Sequence, residues 1–580
     1  MTKEEVAAAL EEIGTLLELK GEGAFRTNAY HNGSRALLQY EGDFRETVEQ
    51  DKLDDIRGIG SSLQEKIVTL FKTGTLPQLD KLREEIPAGM IEMLKIPSLG
   101  PKKIKALHEE LGINDLDQLK LACTEGRVAK LKGFGAKTQE KILEGLQFLG
   151  EVGKRVRIDQ AYPLGLALLE QLKKLPGVVR GELCGSLRRK RESSKDIDIL
   201  ISSDNAKPIM DAFVALPEVM QVVGHGETKS SIVAAHHIGS EKIVLNADLR
   251  VVPDESFPFA LHYFTGSKAH NIHIRQIAIE HGLSLNEYAL AGPNKSVKCE
   301  TEADLFKALG LDYIPPELRE DTGEIEAALK HKLPHLVEVK DIRGVFHNHS
   351  TYSDGGATLE QMALAAKALG FEYFGIGDLS QSLKIANGMS IETVRKQQQE
   401  IDNLNDKLKG IRIIKGIECD ILEDGSLDYP DEVLESFEYV VASVHTHFGQ
   451  SSEEMTARIC KALSHPATTM LGHATGRLLL RREGYKVDLD QVLKVAAKHN
   501  KMIEINAHPY RLDLDWTYVK RAKNLGITLV INPDAHSEAE LGYYVYGVDV
   551  ARRGWLEKKD LFNTRTLKEV MKELESRKQK

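Results

Sequence analysis

Cysteine is sparse: Cys123, Cys184, Cys299, Cys419 and Cys460 are the five in 580 residues, widely scattered and without a CxxC pair. That argues against a cysteine-type zinc site and for free thiols in a reducing cytoplasm. Long apolar runs are missing too; none comes near the roughly 18 residues a membrane span requires, so no membrane partner is expected. The N-terminal stretch MTKEEVAAALEEIGTLL has neither the positive start nor the apolar core of a signal peptide. Nor is there an excess of positive charge, since 77 Lys and Arg against 87 Asp and Glu leave −10. This does not exclude a nucleic-acid partner, because phosphate contacts depend on local basic patches. What is present, 42% hydrophobic and 28% charged residues, is ordinary globular usage and excludes disorder as the main state. The length sets an expectation of roughly four domains.

Residues 1 to about 150 read as helices separated by short glycine-containing turns, and they contain an internal repeat. Gly58-Ile59-Gly60 precedes SSLQEKI, Pro97-Ser98-Leu99-Gly100 precedes PKKIKAL, and Gly133-Phe134-Gly135 precedes AKTQEKI. Each copy places a glycine turn before a lysine-bearing amphipathic helix. Glycine permits the tight hairpin, and the helix N-terminus offers unpaired N–H groups to an anion. One copy alone reads as a helix cap and loop; three copies predict helix-hairpin-helix clamps on phosphate.

Past residue 151 the pattern shifts to strands, DIDILIS (196–202) and KIVLNADLRVV (242–252). Asp196 and Asp198 lie two apart and share a strand face; Asp248 sits in the second strand. Two like charges about 4 Å apart repel by roughly 4 kcal/mol at an effective dielectric near 20. Three such acids call for divalent cations, and Mg²⁺ or Mn²⁺ bound beside substrate phosphates suits phosphoryl transfer. Arg188, Arg189, Lys190 and Arg191 crowd the preceding turn, where an anion is expected to enter. Further on, from about Asp341, short apolar strands alternate with helical stretches, which predicts a parallel sheet, closed or doubly wound. His347, His349, Asp354, Glu418, His445, His473, Asp534 and His536 gather at or just after successive strand ends. Mixed imidazole and carboxylate donors suit Zn²⁺ or Mn²⁺.

GSLRRKRESSKDIDILI resembles the signature of nucleotidyltransferases of the DNA polymerase beta superfamily. The run Tyr263-Phe264-Thr265-Gly266-Ser267, with His270, Asn271 and Arg275, resembles the nucleotide pocket of family X DNA polymerases. With the hairpin repeats and the histidine motifs, nearly the whole chain is similar to the bacterial PolX family, a family X polymerase fused to a PHP domain. That resemblance implies a multidomain α/β chain: a lyase-like helical domain with a helix-hairpin-helix (1–83), a second helix-hairpin-helix domain (84–150), a nucleotidyltransferase palm (151–255) and a nucleotide/template subdomain (256–316). A linker (317–340) and a PHP domain (341–575), a distorted seven-stranded (β/α) barrel, would follow.

The resemblance further implies that Asp196, Asp198 and Asp248 hold two catalytic Mg²⁺ or Mn²⁺ ions. Gly185, Ser186 and Arg189 would meet the triphosphate, Tyr263, Phe264 and Gly266 the nucleotide sugar, Asn271 the incoming base and Arg275 the template. Gly58, Gly60, Gly100, Gly133 and Gly135 would contact DNA. Lys66 falls on the family's Schiff-base lysine, with Arg26 and Tyr30 beside it, although a plain DNA-facing lysine explains it equally. In the PHP domain His347, His349, Glu418 and Asp534 would form one metal site, Glu418, His445 and His473 a second, and Asp354 with His536 a third. The third site's usual histidine is replaced in Gly377-Asp378-Leu379-Ser380 by leucine, so two bound metals, impaired third-site binding and weakened 3'-5' exonuclease activity are expected. The expected partners are gapped or primer-template DNA and dNTPs, and the expected state is a monomer in the bacterial cytoplasm, on the nucleoid through DNA. Two other readings stay open: a DNA-binding repair scaffold, and a PHP phosphoesterase brought to DNA by the N-terminal half.

Overall fold

The protein is described from a computed structural model covering residues 3–40, 44–56, 59–94, 96, 99–151, 155–238, 241–293 and 295–578. It divides into two compact units, Met1–Gly153 and Lys154–Lys580.

The first unit is helical. Val6, Leu10, Ile13 and Leu17 on the helix Lys3–Lys20 recur at helical spacing and are buried, so this helix presents one apolar face. The three repeats then fold alike. Each carries a backbone bond over three residues, from the N–H of Ile59 to the Ile56 carbonyl, of Leu99 to Ile96, and of Phe134 to Leu131. The residue between the glycines, or before Gly100, plugs the core: Ile59, Leu99 and Phe134 are all buried. The helices Ser61–Thr73, Pro101–Leu111 and Gly135–Glu151 follow directly.

The second unit begins with a five-stranded sheet in the order Arg180–Leu183, Asp196–Ser202, Glu241–Val252, Lys229–Ile238, Val219–His225. The strands Asp196–Ser202 and Glu241–Val252 run parallel, and the other neighbours run antiparallel. Alternation along Asp196–Ser202 decides the layers. Ile197, Ile199 and Ile201 pack with the apolar side of the helix Ile158–Lys173. Leu200, on the opposite face with Asp196 and Asp198, packs on Phe257, Ala260 and Leu261 of the helix Phe257–Thr265.

Seven parallel segments form the C-terminal part. Gly344–Val345, Tyr373–Gly375 and Arg412–Ile414 pair in one sheet, while Gly416–Asp420, Tyr439–Ser443, Met470–Leu471, Met502–Asn506 and Leu529–Asn532 pair in another. The strand 412–420 bends at Lys415 and joins both. A parallel bridge from Asn348 to Ala535 closes the ring, so the expected distorted seven-stranded barrel is what forms. Phe346, Tyr439, Met470, Met502 and Val530 fill it at the strand starts, where the helix Leu567–Lys578 adds Val570 and Leu574.

The stretch 317–340 differs from the expected linker. Leu318, Ile325 and Ala328 are buried in one core with Ile274, Leu305 and Phe306, and Arg319 is fully buried. Several of its charges are paired inside the fold: Glu317 with Arg552, Arg319 with Glu302 and Glu320 with Arg189.

Candidate functional site

Strand register sets Asp198 directly beside Asp248. Burial, then Asp196 and Asp248, push the Asp198 carboxyl up to about 7. Asp196 is raised by the same causes, burial first. Lys229, from the neighbouring strand, meets Asp248 Oδ2 at 2.8 Å, and it tempers Asp198 together with Arg250. Gly185 has φ +58°, and a Cβ there would lie 2.1 Å from Asp198 Oδ2. Glycine is therefore required twice, for the left-handed backbone and for the approach of the carboxylate. Three acids on one sheet face, held in part by a lysine, form a donor set suited to divalent cations.

The basic turn is less open to an incoming anion than its composition suggests. Arg188 grips Glu302 through both amino groups (2.6 and 3.1 Å), and Arg319 meets the same carboxylate at 2.5 Å. Arg189 Nε donates to Glu320 at 3.0 Å and its Nη1 to the Thr265 carbonyl at 2.8 Å. Lys190 Nζ lies 3.6 Å over the Tyr162 ring. Interior carboxylates thus answer much of the charge expected to face substrate. Ser186 Oγ lies 2.5 Å from Ser194 Oγ.

Tyr263 and Phe264 end the helix Phe257–Thr265, and Gly266 follows as its cap. Asn271 Nδ2 donates to the Tyr263 carbonyl at 2.6 Å, and its buried Oδ1 has no hydrogen-bond partner. A side chain at Gly266 would strike that Oδ1 at 2.3 Å. Arg275 is exposed four residues after Asn271 on the helix Lys268–Glu280, on the same face.

In the barrel, register again assembles the donors. Asn348 pairs with Ala535, so His347, His349, Asp534 and His536 share the other face. Three groups have ligand atoms within 4.8 Å of one another: His347, His349, Asp534; His347, Glu418, His473; and His349, Asp354, His536. His445 Nε2 stands 3.1 Å from Glu418 Oε1 and joins the second. In the third group His349 stands with the two expected ligands, its Nδ1 3.5 Å from Asp354 and its Nε2 3.1 Å from Asp534. Its ring stacks on His536 at 4.1 Å. Leu379 is buried and is the register partner of Glu418, so leucine occupies the donor face where the family motif has histidine.

Electrostatics fit cations here. Burial alone would lower His445 and His536, but Glu418 on the first and Asp354 with Asp534 on the second raise both to about 9. Burial opposes ionisation of Glu418 as well, yet His347 and His445 hold it well below the usual range. His347 Nε2 and His349 Nδ1, both turned to carboxylates of the clusters, are buried without hydrogen-bond partners, the condition of atoms that await a ligand.

Residues that sequence reasoning missed hold these ligands in place. Glu504 Oε2 accepts from His347 Nδ1 at 2.6 Å, which leaves Nε2 for the cluster. Asp420 does the same for His445 at 3.2 Å. Asp378 is wholly buried and accepts from Ser350, Ser353 and Gln397. The signal was present in MIEIN and GIECD, where an acid interrupts an apolar strand.

In the first unit, a Cβ at Gly60, Gly100, Gly133 or Gly135 would meet nothing within 4 Å. Gly133 and Gly135 have φ of +89° and +72°. No side chain caps the helices after Gly60 and Gly100, so their first amides have no side-chain acceptor. Gly58 lies outside the described residues. Lys66 is half-exposed, donates to Ser62 Oγ at 2.9 Å and lies 5.7 Å over Tyr30, while Arg26 pairs with Glu22 at 3.3 Å.

Fold and site define a nucleotidyltransferase palm with a thumb, joined to hairpin domains and a metal-binding barrel. Family models agree by region: a helix-hairpin-helix domain at 1–76, a SAM-like helix-hairpin-helix tandem at 90–147, a DNA polymerase beta thumb at 260–320 and a PHP domain at 346–508. The chain is 39% identical to the DNA polymerase/3'-5' exonuclease PolX of Bacillus subtilis (strain 168), over 98% of this chain and 99% of that protein. DNA polymerase lambda of Rattus norvegicus is 26% identical over 54% of this chain and 56% of its own length. A probable phosphatase of Thermoanaerobacter sp. (strain X514) is 28% identical over 29% of this chain and 72% of its own length. The chain belongs to the PolX family, family X DNA polymerases that carry a C-terminal PHP domain.

Proposed function

We propose that the chain fills short gaps in DNA during repair by adding deoxynucleotides to a primer 3′ end. The observation that carries this is the register of Asp198 with Asp248, with Asp196 two residues away on the same face. These three acids would hold Mg²⁺ or Mn²⁺, which when bound lowers the pKa of the 3′-hydroxyl and neutralises the leaving pyrophosphate. Asp248 would stand nearest the primer end. Arg189 and Ser186 orient the triphosphate, Tyr263, Phe264 and Gly266 shape the sugar pocket, and Asn271 contacts the incoming base. Arg275 meets the template strand. Hairpin amides grip backbone phosphate without reading sequence. With DNA and dNTPs as partners, the chain works as a monomer in the cytoplasm.

The barrel is proposed as a 3'-5' exonuclease whose clusters hold Zn²⁺ or Mn²⁺, weakened by Leu379. A lyase role for Lys66 gains no support from a half-exposed ammonium tied to Ser62. The test is extension by the wild type with dNTPs and Mg²⁺ or Mn²⁺ on nicked, gapped and open primer-template DNA. Gap filling supports the proposal; no incorporation on any substrate contradicts it.

A further inference from the structure

The barrel helix Tyr544–Arg553 meets the basic turn that carries Arg189. Asp549 and Arg553, four apart on one helix face, both reach it. Asp549 Oδ2 lies 3.9 Å from Lys190 Nζ. Arg553 is 1% exposed; its Nη1 donates to the Arg189 backbone carbonyl at 3.1 Å and its Nη2 to Glu320 Oε1 at 3.5 Å. The same Glu320 oxygen accepts from Arg189 Nε at 3.0 Å. Arg189 Nη1 is fixed on the Thr265 carbonyl, next to Gly266. Two of the five N–H donors of Arg189 are thereby used, and the residue is 8% exposed.

Stability explains this arrangement only in part, although the Arg553 guanidinium also lies 4.9 Å over the Trp516 ring. Arg553 shares its carboxylate with a second guanidinium, and its buried Nε has no hydrogen-bond partner. An unsatisfied buried donor costs about 1–3 kcal/mol, and an apolar side chain of similar volume would serve the junction at least as well. What the arrangement does fix is Glu320: held between two cations, it keeps one rotamer, and so does Arg189.

We propose that Arg553 of the barrel is a positioning residue for nucleotide addition, aiming the Arg189 guanidinium at the triphosphate through Glu320 and the Arg189 main chain. This rests on Arg189 as a triphosphate ligand. The barrel is then part of the polymerase's nucleotide pocket, independently of what the barrel hydrolyses.

Single-nucleotide insertion into gapped DNA tests it in the full chain, with Arg189→Met, Arg553→Met and the double variant, and a melting curve for each. Arg553→Met should raise KM for the dNTP about tenfold, or 1.4 kcal/mol, with kcat within twofold. The double variant should be no worse than Arg189→Met. If Arg553→Met does not fold, Arg553→Lys, which keeps the charge but loses the fork, should give a smaller KM rise in the same direction. A KM effect of Arg189→Met with none from either Arg553 variant overturns the inference alone, and so do additive effects. An unchanged KM in Arg189→Met overturns the reading beneath it as well.

Discussion

Asp198 stands in register beside Asp248 on parallel strands, and Lys229 is bonded to the second carboxylate at 2.8 Å while the first keeps a carboxyl pushed up to about 7. The unfolded chain binds fewer protons than the folded one between the ordinary carboxylate value and 7. Without divalent cation, Asp198 therefore makes stability fall as pH rises through that window, with the loss complete just above 7. Melting of EDTA-treated protein from pH 4.5 to 8 should show this slope reduced in Asp198→Asn, and Mg²⁺ should restore more stability at pH 7.5 than at pH 5. A steeper fall in Asp198→Asn than in the wild type would contradict the assignment.

Glu504 fixes which nitrogen His347 presents. Glu504→Gln keeps the shape but removes the negative charge that favours the Nδ1-protonated, strongly ligating ring, so barrel metal affinity should drop about 10- to 100-fold. Metal content after dialysis against graded chelator measures it. Equal retention by both proteins would mean that Glu504 is structural.

Leu379→His should add a nitrogen to the His349, Asp354, His536 group. The expected result is more bound metal and faster 3′-end trimming in Mn²⁺, because metal catalysis depends on fixed coordination. Vigorous trimming by the wild type with no gain in the variant would show the third group complete without residue 379.

Gly60→Val and Gly100→Val introduce side chains where the fold leaves open space. Melting should change little, while gapped-DNA affinity falls for every sequence tested and log Kd rises with log salt. Weakened binding of one sequence alone would argue against backbone recognition.

Much of this was legible in the sequence because strand alternation and register carry it. Asp-x-Asp fixes one face, and His-x-His another. Glycine spacing marked the hairpins. The missed residues act across long separations: Glu504 reaches His347 over 157 positions, and Arg553 reaches Arg189 over 364. The 317–340 stretch misled because its charges and Pro334 resemble a tether, while Leu318 and Ile325 fill a core and Arg319 joins Arg188 on Glu302. Composition alone does not tell a solvated charge from a paired one.

The most direct test of the central claim is nucleotide addition to gapped DNA by Asp198→Ala beside the wild type, with DNA affinity measured on both. Loss of several kcal/mol of transition-state stabilisation predicts a rate lower by about a thousandfold or more, with Kd for DNA within a few-fold. Extension at the wild-type rate by Asp198→Ala would show that synthesis does not run through these carboxylates.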